Sequence, residues 1–131
     1  MIEKYGSGGP WEATFGYSRV VAVGPLVISS GCTATVDGRV VHPGDAAAQA
    51  RVAFGIALDA MARAGVSVAD VVRTRMYVVN ADDCDSVGRV HGELFGDVRP
   101  AATMVVVAKL IDPDHLIEVE VEAYRPREES G

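Results

Sequence analysis

Hydrophobic residues alternate with polar ones through most of the chain and recur every third or fourth position in two stretches. From Tyr17 the pattern is β. "SRVVAVG" and "LVISSGCTATV" are rich in Val, Ile and Thr and are split by Gly24 and Pro25, which predicts strands over about 17–23 and 26–36. Asp37-Gly38 then predicts a tight hairpin to a third strand at about 39–41. In "DAAAQARVAFGIALDAMARAG", Ala47, Ala50, Phe54, Ala57, Leu58 and Met61 fall on one helical face, with Asp45 as N-cap and Gly65 as stop. "VVRTRMYVV" predicts a strand over 71–79, with Arg73, Arg75 and Tyr77 on one face and Thr74, Met76 and Val78 on the other. A second helix over about 83–95 carries Val87, Val90, His91, Leu94 and Phe95 on its apolar stripe. Two closing strands follow, at about 102–109 and 116–124, joined by the turn-forming "IDPD". Residues 1–15, broken by Gly6, Gly8, Gly9 and Pro10, read as an irregular arm.

The order βββαβαββ predicts one α+β domain over residues 1–131, with its core in 16–125 and a sheet covered on one face by two helices. The other sheet face is left with Arg73, Arg75, Glu118 and Glu120. A small domain with such a half-polar face is expected to find cover in copies of itself.

Composition narrows the function. With 131 residues, 49% of them hydrophobic and 23% charged, the chain has enough apolar material for a core without disulfide staples. Its net charge of -6 opposes general nucleic-acid binding. Two cysteines make no disulfide framework, and the start has neither a signal peptide nor any membrane-length apolar run, so a cytoplasmic location and no membrane partner are expected. The three histidines lack metal-ligand spacing, and no metal site is expected.

Few residues carry candidate chemistry. Glu118, Glu120 and Glu122 share one face of the last strand, and a carboxylate there could hold or deprotonate a water. Its bland alternative is an ion-paired or solvated strand face. Arg73 and Arg75 could clamp an acid, or pair with those glutamates. His91 reads as a packing histidine and Cys32 as a small packed residue.

"FGYSRVVAVGPLVISSGC", "VVRTRMYVV", and "RPAATMVVVAKL" with "LIEVEVEA" resemble the Rid family, also called YjgF or L-PSP, over about residues 15–125. The resemblance implies a chorismate-mutase-like fold and a homotrimer whose sheets line a central barrel, with clefts between subunits. It implies hydrolysis of small enamines or imines, such as 2-aminoacrylate, to a keto compound and ammonia, without a cofactor. Carried over by position, Glu120 is the water-positioning carboxylate, Tyr17 shapes the pocket, and Ser30 and Gly31 hold the substrate. The family's carboxylate-clamping arginine is replaced by Ala102, and Met104 stands where a small cysteine is usual. Arg75, ahead of Arg99, is the expected substitute. The reading is thus a trimer that binds a small metabolite in its clefts and hydrolyses an imine there, or a non-catalytic trimer that binds a metabolite or a protein. The family's old endoribonuclease label sits poorly with an acidic chain that has no basic stripe.

Overall fold

The computed structural model describes residues 1–126. It is an α+β fold built on one mixed sheet whose strands run, edge to edge, Ile2–Tyr5, Val20–Val23, Leu26–Ser29, Ile117–Tyr124, Val71–Val78 and Ala101–Val106. The strands are β1 (Ile2–Tyr5), β2 (Val20–Val23), β3 (Leu26–Ser29), β4 (Cys32–Thr33), β5 (Thr35–Val36), β6 (Arg39–Val40), β7 (Val71–Val78), β8 (Ala101–Val106) and β9 (Ile117–Tyr124). The helices are α1 (Pro10–Phe15), α2 (Ala46–Ala62) and α3 (Cys84–Phe95). All sheet pairings are antiparallel except β7–β8, which the α3 crossover allows to run parallel.

Period-2 alternation decides which residues meet the helices. Val20, Ala22 and Val27, with Val119, Val121 and Ala123, turn to α2 and are buried with Ala50, Ala53, Phe54, Ala57 and Met61. Asp45 caps α2 by accepting from the Ala48 amide at 3.0 Å. The Asp37-Gly38 hairpin forms as expected between β5 and β6, with φ of 51° and 77° at the two turn residues.

Two expectations change. The first 15 residues are irregular only around residues 6–9: β1 adds to the sheet edge beside β2, and α1 follows it. Pro10 occupies the first turn of α1, and the Glu12 carboxylate reaches back to accept from the Gly9 amide at 3.4 Å. The expected strand 26–36 is also broken. β3 and β4 lie end to end along the same side of β9, but the register moves by one residue between Ile28↔Glu122 and Cys32↔Val119. This bulge at Ser30-Gly31 falls opposite Glu120, and the freed amide of Val121 donates to Ser29 Oγ at 3.0 Å.

His91 is the packing residue its stripe suggests. It lies beside Phe54 and Phe95 (ring centroids at 5.9 and 4.8 Å), and its Nε2 is 2.7 Å from the buried Thr74 hydroxyl. Burial pulls its pKa below the ordinary 6.5. The unfolded chain therefore binds the proton more readily than the fold does, so this stabilisation is present above about 6.5 and is lost as pH falls toward the folded value. A drop in Tm from pH 7 to pH 5.5, flattened in His91→Gln, is the expected result of thermal melts across that range.

Candidate active site

The sheet face away from α2 and α3 carries Arg73, Arg75 and Tyr77 of β7 beside Glu118, Glu120 and Glu122 of β9. Their backbone pairings are Arg73↔Glu122, Arg75↔Glu120 and Tyr77↔Glu118. Side chains reach diagonally across these pairs. Arg75 Nη1 donates to Glu122 at 2.9 Å, and the Tyr77 hydroxyl donates to Glu120 Oε1. Arg75 thus faces the open side as expected, but its charge is spent on Glu122.

Two hollows open beside this face. One, of about 590 Å³, lies under α1 and is lined by Lys4, Glu12, Tyr17, Val21, Ile28 and Ser30 among others. The other, of about 360 Å³, is lined by Gly31, Tyr77, Val107, Lys109, Leu110, Glu118 and Glu120. The expected site residues are divided between them: Tyr17 and Ser30 line the first, Gly31 and Glu120 the second. Arg19 stands at the seam. Its guanidinium lies 5.9 Å from the Tyr17 ring and donates to the Gly31 carbonyl at 2.8 Å and the Ser30 hydroxyl at 3.4 Å. Ser30 turns its own hydroxyl inward to the Ser18 and Arg19 carbonyls at 3.1 and 3.2 Å, so it secures the bulge.

Ala102 and Met104 join neither hollow. Register pairs them with Thr74 and Met76, on the helix side of β8. Met104 is half-buried against the core, its Cε 3.7 Å from where a Cβ on Gly88 would stand. Ala102 stays exposed because β8 is an edge strand.

Glu118 departs most from expectation. It is neither ion-paired nor fully solvated. Its carboxyl lies against Gly31 so closely that a Cβ there would stand 1.9 Å from Oε2. Burial, aided by the Glu120 charge, pushes its pKa above the ordinary value, although His115 and Arg19 pull the other way. Lys109 also lines this hollow, and strand parity is the sequence signal for it. Continuing the alternation of β8 from Thr103 through Val105 and Val107 brings Lys109 to the open face, and it is the cation lining the second hollow. Cys32 is buried, and desolvation raises its thiol pKa even with Arg19 Nη1 at 3.5 Å, so it is poorly suited to be a nucleophile.

A mixed-sheet α+β fold with a bulge opposite a row of strand carboxylates defines the class of protein. The chain belongs to the endoribonuclease L-PSP family, whose model matches residues 10–125. It is similar to an uncharacterized protein of Streptomyces coelicolor, 45% identical over 95% of this chain and 92% of that one. It is also similar to the 3-aminoacrylate deaminase RutC of Acinetobacter baylyi, 38% identical over 61% of this chain and 63% of that one. Among solved structures, a YjgF-family protein of Mycobacterium tuberculosis superposes with a TM-score of 0.85 at 42% identity, covering 95% of this chain and 99% of that one. The YjgF gene product of E. coli gives 0.77 at 29% identity, covering 94% of each chain. Among the described residues no helix is long and apolar enough to cross a membrane.

Proposed function

We propose that the protein hydrolyses a small imine or enamine to a keto compound and ammonia in the hollow beside Glu120, working as a cytoplasmic homotrimer. One observation carries the reading: the Tyr77 hydroxyl holds Glu120 in a hollow shared with the Gly31 backbone, Glu118 and Lys109. A carboxylate fixed by a hydroxyl donor is placed to orient a water and take its proton. Lys109 supplies the positive charge that Ala102 does not, and Arg75, held by Glu122, is not available for that task. A point charge on a flexible stem takes a carboxylate less selectively than a guanidinium fork does. The substrate is therefore a small metabolite whose acid group, if it has one, sits toward the 107–110 loop.

Two observations support assembly. The edge strand β8 presents an unpaired row of backbone groups with no charged side chain between Ala101 and Val106. Tyr17 and Ser30 line one hollow of the chain while Glu120 lines the other, an arrangement that a neighbouring copy would complete. An RNA substrate fits poorly, since two carboxylates line the hollow and would repel a phosphate.

The test is a coupled assay in which a pyridoxal-phosphate enzyme generates 2-aminoacrylate and pyruvate is followed. Wild-type protein is expected to accelerate its appearance, and Glu120→Gln to lose about a hundredfold in kcat. No acceleration at high protein concentration, with a keto acid still raising Tm, would favour the binding-module reading suggested by Ala102.

A further inference from the structure

We infer that Glu118 is a second catalytic carboxyl, the proton donor to the substrate nitrogen, facing a Glu120 that takes the proton of the attacking water. This rests on the hydrolytic reading above. Glu118 and Glu120 are two residues apart on β9, so their side chains leave the same side of the sheet from Cα atoms about 6.5–7 Å apart, and both line the second hollow. Their surroundings differ. Glu120 accepts a hydrogen bond from Tyr77, which fixes its carboxyl in place. The Glu118 carboxyl makes no hydrogen bond to any described side chain or backbone group, is half-buried, and lies where a Cβ on Gly31 would stand.

The charged and titratable groups facing Glu118 are Arg19 before β2, Cys32 on β4, Tyr77 on β7, His115 in the loop before β9, Lys109 across the hollow and Glu120 beside it. Burial and Glu120 favour the neutral acid and outweigh Arg19 and His115, so the carboxyl titrates above its ordinary range. A carboxyl whose surroundings favour the neutral acid, beside one held by a hydroxyl donor, is the arrangement of an acid and a base.

The proton inventory closes. On the imine tautomer of the substrate, to which an enamine first converts by moving a proton from nitrogen to carbon, Glu118 gives its proton to the nitrogen as water adds to the carbon and passes a proton to Glu120, leaving a neutral carbinolamine. Glu120 then protonates the amino group, Glu118 takes back the hydroxyl proton, the C–N bond breaks, and ammonia and the carbonyl compound depart. Both carboxyls end as they began. The bulge has a part in this, because only glycine at 31 lets the Glu118 carboxyl lie so close to the backbone.

The test uses the full-length protein, carboxyl carbon NMR and the 2-aminoacrylate assay. The Glu118 resonance is expected to titrate above the ordinary glutamate value of 4.5. Glu118→Gln is expected to lower kcat about a hundredfold with little change in KM and to remove the alkaline limb of the rate profile. The same variant should raise Tm at pH 7. With its folded pKa raised, Glu118 contributes its stabilisation below the unfolded value of 4.5 and loses it as pH rises through the folded value, a loss the neutral amide avoids. A Glu118 that titrates at or below the ordinary 4.5, or a Glu118→Gln variant with wild-type rate and profile, overturns this role and leaves the hydrolytic reading standing. Wild-type protein that fails to accelerate 2-aminoacrylate hydrolysis overturns both.

Discussion

Gln49→Leu unfolds with about 3–5 kcal/mol less stability than wild type, on the order of a 10–20 °C drop in Tm. Gln49 is fully buried on α2, and its amide does the work of a missing backbone partner. Its Nε2 donates to the carbonyls of Asp114 at 2.9 Å and His42 at 3.3 Å, and its Oε1 accepts from the Leu116 amide at 2.8 Å. Leucine keeps most of the volume and none of the bonds, so one N–H and two carbonyls lose their side-chain partner. The damage is directional as well. Asp114 and Leu116 lead into β9, and the next three open-face residues are Glu118, Glu120 and Glu122. Chemical denaturation gives the stability. The kinetic companion is that Gln49→Leu loses activity below its melting range, because the strand entering the site is no longer tied to the helix. A Gln49→Leu variant within 1 kcal/mol of wild type would show that water satisfies these groups instead.

Phe54→Ala is expected to be as severe, at about 3–5 kcal/mol, through a cavity rather than through polar groups. Phe54 has no exposed surface and packs edge-on to Phe95 at 5.3 Å and beside His91 at 5.9 Å, so it joins α2 to α3. Losing the ring also removes one wall around the neutral imidazole. Phe54→Leu, which keeps more of the volume, should recover more than half of the loss in equilibrium unfolding.

The elements most legible in the sequence are those whose own pattern decides them. The α2 stripe, the Asp37-Gly38 turn and the alternation of β7 and β9 each contain their signal within a few residues. β1 does not: "IEKY" is four residues long and is a strand only because β2 lies beside it. α1 had a local signal, Pro10 with Glu12 two residues on, but six residues among glycines fall below the length at which periodicity speaks. The site divides in the same way. Glu118, Glu120, Glu122, Arg75 and Tyr77 could be assigned to one face by parity. Which carboxylate took Tyr77, which took Arg75, and which was left against Gly31 depended on inter-strand register and on a one-residue bulge, and neither is written in any single strand. Ala102 and Met104 could be matched to family positions but not to a side of the sheet until β8 was paired in parallel with β7.

β8 also bears on the newly made chain. Its parallel partner β7 is separated from it by the whole of α3, so this pairing cannot close as a hairpin and must await helix docking. Until then "AATMVV" is a six-residue, uncharged, β-prone segment guarded only by Arg99 and Pro100 at one end. Overproduction at high temperature should therefore lose the protein to inclusion bodies through this segment first, and slowing synthesis should recover it.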